Sequence, residues 1–284
     1  MATLPFPCAS VPLAAADFNA TLTALGADAP SVWAILNVES GKAGYLADRR
    51  PQILFEYGQF HTRTGGIYDQ TNPDISASGF GDYPGGAAEY GLLGEAYALN
   101  ADAALQSASW GIGQVMGFNF ATVGYANVSA FVQDCCASEA LQLHAFQAFL
   151  IKKNIAAALA TQDWNTVALR YNGSGQVAKY AAMLTASYGD LQDPAKLPDL
   201  QVRAAQLYLT FLMSANNNQA YNPAGPNKRG GIDGILGTPG RSNTLAALNA
   251  FQNDQGIAPT TTVDDNVLAS LVAALPAAAN LSLS

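Results

Sequence analysis

Carboxylates are the residues best placed to do chemistry in this chain. Only two histidines are present, His61 and His144, far apart in sequence. No HExxH, CxxC, Walker loop, dinucleotide glycine fingerprint or GxSxG accompanies them, so no motif supports a zinc site, a phosphate cradle or a Ser-His-Asp triad. Among the acids, Glu39 stands apart. Val32, Ile35, Leu36 and Glu39 are spaced i, i+3, i+4 and i+7, which puts one acid on an otherwise apolar helix face. Glu39 also falls in the last turn of that helix, where the macrodipole is negative. Burial and the dipole both disfavour the ionised form, so the spacing predicts a raised pKa. A carboxyl kept protonated near neutral pH is what a general acid needs. The same spacing also fits a helix-end Glu that pairs with Arg49 or Arg50.

Three further stretches carry groups suited to a polar ligand. Ser107-Ala-Ser-Trp-Gly-Ile-Gly-Gln114 is a small-residue turn ending in an amide; glycines admit close approach, and Gln reads amide and hydroxyl groups. Arg170-Tyr-Asn-Gly173 sets an aromatic ring beside an amide, a pairing suited to sugar rings and N-acetyl groups. The segment from Phe55 to Tyr90 is rich in rings.

Elements must hold these residues. Asp28-Ala-Pro30 caps a short helix over 31–39, which Ser40-Gly41 ends. Residues 50–90 read as loops plus a small sheet, with one strand-like run from Gln52 to Tyr57. The helical period then covers 88–100, 102–109, 114–122, a long stretch at 128–150, and 152–160, 163–171 and 175–187. A polar, proline-bearing segment near Asp193 predicts a boundary, giving units 1–193 and 194–284. The second unit offers helices at 199–214, 242–255 and 264–273, with an Asn/Pro/Gly loop at 216–231. The fold class is mainly α.

Composition narrows the functions. The 284 residues carry a net charge of −8, and only 12% are charged while 50% are hydrophobic. An acidic chain of this kind is a poor partner for nucleic acid. No run of about 18 apolar residues predicts a membrane span or stable membrane association. The start, MATLPFPCASVPL, lacks a basic region and does not read as a signal peptide, which predicts synthesis in a cytoplasm. Cys8, Cys135 and Cys136 fit reduced thiols that pack as small apolar residues. The charge is uneven: residues 1–195 hold eight Lys/Arg against sixteen Asp/Glu, while 196–284 hold five of each.

The order of these motifs resembles a known family. Val38-Glu39-Ser40, Arg50-Pro-Gln-Ile-Leu-Phe-Glu56, Phe60-His61, Asn72-Pro-Asp-Ile75, Ser107-Ala-Ser-Trp-Gly111, Gln114-Val-Met-Gly-Phe-Asn119 and Arg170-Tyr-Asn-Gly173 together resemble the N-acetylmuramidase family of phage endolysins. The resemblance spans about 10–188. In the second unit, Asp233-Gly-Ile-Leu-Gly237 and Thr244–Gln252, with Val202, Arg203, Gln206 and Leu207 as a first helix, resemble a small three-helix peptidoglycan-binding module. Its 215–231 loop is longer than usual, and extra residues around 239–242 interrupt the pattern.

This resemblance implies a lysozyme-like α+β catalytic domain followed by the binding module. It implies hydrolysis of the β-1,4 bond between N-acetylmuramic acid and N-acetylglucosamine in bacterial peptidoglycan, by a monomer without metal or organic cofactor. The enzyme would be made in a host cytoplasm and reach the wall after membrane permeabilisation. Glu39 matches the family's catalytic Glu. Inverting hydrolysis calls for a second carboxylate about 6.5–9.5 Å away. Glu56, Asp69, Asp74 and Asp82 are candidates, and Glu56 is favoured because its Ile-Leu-Phe-Glu run suggests a rigid strand. The competing role for Glu56 is structural, pairing with Arg63 or capping amides. Ser109, Trp110, Gln114, Tyr171 and Asn172 would line the cleft, with Tyr171 near Glu39. The alternatives are a lytic transglycosylase using the same Glu39, which needs no base, and a non-catalytic wall-binding or virion protein.

Overall fold

The computed structural model describes residues 2–79, 83–225, 231–238, 240 and 242–284. It opens with strand β1 (Thr3–Pro7) and helices α1 (Ala15–Leu25) and α2 (Ala29–Ser40). Asp28 caps α2 by accepting the Ser31 N–H at 2.9 Å, Pro30 sits in its first turn, and Gly41 ends it at φ 61°. Strand β2 (Ile53–Phe55) leads directly into α3 (Tyr57–Thr64), a helix inside the region expected to be loop and sheet. Next come α4 (Glu89–Leu99), α5 (Ala101–Gln106), and strands β3 (Ala108–Trp110) and β4 (Val115–Met116). The three strands form an antiparallel sheet in the order β2-β3-β4, so β2 pairs across more than fifty residues with the Ser/Gly turn region.

Two helical expectations fail here for local reasons. Residues 114–122 hold β4 and a short 3-10 turn instead of a helix. Gly117 lies so close to the Leu105 carbonyl that a Cβ there would sit 2.1 Å from the oxygen, which ties this stretch to α5. The long pattern at 128–150 is two helices, α6 (Val128–Ala137) and α7 (Glu139–Lys152). Ser138 separates them, extended at φ −157°, and its side chain caps α7 at Leu141. Helices α8 (Ala156–Ala160), α9 (Trp164–Asn172) and α10 (Val177–Leu191) complete the first unit. One continuous core joins them, with Trp33, Phe55, Phe60, Tyr90, Phe131 and Phe146 all essentially unexposed.

The second unit contains α11 (Leu200–Asn216), α12 (Asn243–Asp254) and α13 (Asp265–Ala274), packed around Leu209, Leu212, Leu248, Phe251 and Leu271. Gln206 organises its loop, donating to Asp233 at 2.8 Å and Thr244 at 3.0 Å while accepting from the Gly234 amide. Architecture is therefore mainly helical with small sheets, as expected.

The two units are joined tightly. Residues 280–282 form strand β5, antiparallel to β1, and Leu281 and Leu283 enter the core of the first unit. Gly94 on α4 has no Cβ to clash with the Leu283 carbonyl, 2.1 Å from where one would stand. Arg203 on α11 is wholly buried and forks onto the equally buried Glu139 of α7, two N–O contacts at 2.5 Å. Its remaining donors reach the Lys42 carbonyl at the end of α2. Tyr45 of the first unit packs edge-on against Phe211 of α11.

Removing one member of a buried ion pair costs about 3–5 kcal/mol, because the other charge is left uncompensated. Arg203→Met should therefore lower the Tm of the whole chain in a single calorimetric transition. The double variant Arg203→Met, Glu139→Met should recover much of the loss. A parent-like Tm for Arg203→Met would show that the pair does not hold the units together.

Candidate active site

Glu39 lies in the last turn of α2, and the apolar face expected from the sequence is real: Val32, Ile35 and Leu36 are fully buried. The side chain itself is half-buried at the mouth of a cleft of about 250 Å³, lined also by Val38, Asn172, Gln176, Lys179 and Tyr180. Its Oε1 accepts the Tyr180 hydroxyl. Burial pushes the carboxyl up to about 7, and the Tyr180 hydrogen bond, which favours the ionised form, pulls the other way and only in part offsets it. Neither Arg49 nor Arg50 pairs with Glu39. Arg50 binds Asp48, and Arg49 donates to the Ala9 and Pro276 carbonyls.

Tyr180 is the partner that sequence reading missed. Its helix, α10, buries Tyr180, Ala181, Leu184, Ser187 and Leu191 on one face. That periodicity is legible in sequence and marks Tyr180 as inward. Which helix it meets is not legible. The match to α2 is set partly by Asn37, which donates to Ser187 at 2.9 Å. Tyr171, expected beside Glu39, stands one layer behind. It stacks on Tyr180 with ring centroids 6.3 Å apart and planes at 9°, and its hydroxyl donates to the Gly113 carbonyl. The end of α9 thus presents Asn172, exposed, to the Glu39 cleft, while Arg170 and Tyr171 line a neighbouring hollow of about 200 Å³ with Gln114, Phe118 and Lys153.

The Ser/Gly turn acts differently from its expected role. Trp110 is buried and donates its indole N–H to the Leu105 carbonyl at 3.1 Å, so it belongs to the core and not to the cleft wall. Ser109 is nearly buried and donates to Gln114 Oε1 at 2.7 Å. Both amide hydrogens of Gln114 go to carbonyls, Gly111 at 2.8 Å and Gln52 at 3.2 Å. Gln114 itself sits at φ 45°, a left-handed conformation unusual for a residue with a side chain, and these bonds hold it there. Ser109 and Gln114 therefore brace the β3–β4 turn, with Gln114 showing one edge to the neighbouring hollow.

Gln52 links this sheet to the end of α2. Its N–H donates to the Gly44 carbonyl at 2.9 Å, and its carbonyl accepts from Gly111 and Gln114. With its amide oriented to satisfy both ends, the side chain also donates to the Ser40 and Ala43 carbonyls. Glu56 follows four residues later, directly after β2, with its N–H bonded to the Ser107 carbonyl. It is half-buried, and burial pushes its carboxyl upward. Its side chain does not cap α3, and Arg63 instead bonds Gln59 and lies over the Phe118 ring.

The other candidate carboxylates differ. Asp69 accepts from Ser76 at 2.6 Å and pairs with His61 at 2.7 Å; the Ser76 bond, then His61, hold it below the usual carboxylate range. Asp74 is exposed, and Asp82 lies outside the described residues. A buried carboxylate not foreseen, Glu89, accepts the Phe55 and Gly85 amides at 2.9 Å each and so anchors the strand that precedes Glu56. Among the described residues no three His, Cys, Asp or Glu side chains gather in a way that would hold a metal, and no helix is long and apolar enough to cross a membrane.

The family model for N-acetylmuramidases matches residues 28–192, from the α2 cap to the end of α10. Among solved structures, the chain is similar to the crystal structure of the Burkholderia AP3 phage endolysin, with a TM-score of 0.58 and 34% identity over 65% of this chain and 72% of that one. No curated sequence matches. The match takes in the helix that carries Glu39, the sheet beside it and the helix that supplies Tyr180, and the chain belongs to the N-acetylmuramidase family.

Proposed function

We propose that this chain is an endolysin-type muramidase that hydrolyses the β-1,4 bond between N-acetylmuramic acid and N-acetylglucosamine in bacterial peptidoglycan, with Glu39 as general acid. One observation carries the assignment. Glu39 opens onto a cleft, yet burial holds its carboxyl at about 7, so near neutral pH a substantial fraction carries the proton a leaving glycosidic oxygen needs. Tyr180 orients the carboxyl and stabilises the carboxylate left after transfer. Tyr171 stacks behind Tyr180 and limits its movement. Asn172 and Lys179 offer polar contacts to sugar at the cleft mouth.

Glu56 is the proposed base that activates water on the far side of the sugar. Its support is local. It ends a strand anchored by Glu89, and neither Arg63 nor the α3 amides engage its carboxylate. The unit at 194–284 is proposed to add contact with the wall, and the enzyme to work as a monomer on glycan strands.

Glu39→Gln should reduce lysis of purified sacculi by a factor of about 10²–10⁴, the contribution of a positioned general acid. It should not unfold the chain. A folded-state pKa above the unfolded value means stability that is complete below the unfolded pKa and lost as pH rises through about 7. The amide removes that dependence, so at pH 8 the variant should melt no lower than the parent. Full lytic activity in folded Glu39→Gln would refute the assignment.

Parent activity should fall as pH rises through about 7, because the acid loses its proton. Tyr180→Phe removes a bond that favours the carboxylate, so the alkaline limb of its profile should move to higher pH. A shift to lower pH would mean that Tyr180 does not act on Glu39 in this way.

Product mass separates hydrolysis from transglycosylation. Each hydrolytic cut adds one water, and Glu56→Gln should suppress it. Products with a 1,6-anhydro end and an active Glu56→Gln would instead identify a transglycosylase that needs no base.

A further inference from the structure

A hollow at the end of α2 lies between the two units. It measures about 380 Å³ and is lined by Asn37 and Lys42 from the first unit and Thr210, Asn222 and Asp233 from the second. Its volume falls in the range of small-ligand sites. It exists only because the units are locked together, and Arg203 on α11 forms part of the lock.

Lys42 is unusual in two ways. It follows Gly41 in a second left-handed position, φ 70°, where a side chain costs free energy. That conformation is held from outside α2, by Arg203 Nε at 2.8 Å and Nη2 at 2.5 Å on the Lys42 carbonyl. The ammonium is half-buried, and burial lowers its pKa, with Asp233 opposing. The ion pairs among the described residues do not include it. A charge withdrawn from water without a contact partner is costly and draws an anion.

Asp233 is fixed on the other wall. Gln206 donates to its Oδ1 at 2.8 Å and the Ile235 amide at 2.9 Å. A cation and an anion thus line one hollow without touching, flanked by amide and hydroxyl groups. That arrangement suits a zwitterion, its carboxylate on Lys42 and its ammonium on Asp233. Lys42 stands three residues past Glu39 in the chain, just beyond the end of α2, so the hollow and the Glu39 cleft are built on the same helix end.

We infer that this hollow binds the peptide stem of peptidoglycan, with Lys42 taking a stem carboxylate and Asp233 the free ammonium of the stem's diamino acid. The inference rests on the proposed action on peptidoglycan, and it makes the second unit part of the substrate site rather than a tethered anchor.

Two measurements test it. In the first, soluble stem tetrapeptide bearing a free diamino-acid ammonium is titrated into the full chain and into Lys42→Met, Lys42→Gly and Asp233→Asn. Each variant should bind at least about tenfold more weakly, the loss of a charge-assisted contact. Lys42→Gly guards against misfolding, because glycine adopts the left-handed conformation without penalty. Equal binding by parent and folded variants, or no binding by the parent, overturns the inference. In the second, cleavage of intact peptidoglycan is compared with cleavage of the same glycan stripped of its stems by an amidase. The parent should prefer the stem-bearing form about tenfold in kcat/KM, and the variants should bring that ratio close to one. A ratio near one in the parent, or one unchanged in the variants, overturns it. A parent that binds the stem but cuts neither substrate sinks the proposed hydrolase and leaves the binding site standing.

Discussion

Glu139 is a carboxylate with no exposed surface, and much of the molecule is arranged around satisfying it. Its oxygens accept the Leu13 and Gly44 amides at 2.8 Å and the two-pronged guanidinium of Arg203. Those four donors come from the segment before α1, the loop after α2, and α11. An isolated charge in this position would be costly, and Arg203 with the two amides offsets that cost by bringing the three segments together at Glu139. The donors left on Arg203 then close the end of α2 through Lys42, three residues from Glu39. A helix of the second unit thereby sets the backbone that follows the proposed acid.

Three buried or half-buried glutamates show how the donor set decides what a carboxylate does. Glu139 meets a cation and two amides. Glu89 meets two backbone amides and anchors β2. Among the described residues Glu39 meets only a neutral phenol, on a cleft, at the negative end of a helix. Burial dominates at Glu39 because so little opposes it, and its proton is retained to about 7. The first two carboxylates hold the frame, and the third is the proposed acid. The Ser/Gly turn follows the same logic on a smaller scale. Ser109 and Gln114 satisfy each other and nearby carbonyls, holding the sheet that leads to Glu56.

Local signals in the sequence were reliable where the cause was local. The α2 boundaries follow from Asp28, Pro30 and Gly41, and the apolar face of that helix, with Glu39 in its last turn, follows from 3.6-residue spacing. The helices of the second unit were legible for the same reason. Misreadings came where a distant partner overrode the pattern. Residues 114–122 look helical until the Leu105 carbonyl and the β3 strand claim them. Helix 128–150 is interrupted at Ser138, where the chain bridges to Val11. Trp110 carries a ring suited to sugar, but its indole is enclosed.

The amino-acid sequence by itself determined which residue is the acid candidate, the mainly helical class and the family pattern, because spacing, caps and motif order are properties of neighbouring residues. Only the tertiary structure decided that Tyr180 and not Tyr171 touches Glu39, that Trp110 is core, and that Arg203 and strand β5 weld the second unit to the first. Those outcomes depend on contacts between residues separated by up to some 280 positions, whose strength comes from exclusion of water. Periodicity reports which way a side chain faces, and only the packed chain reports what it meets there.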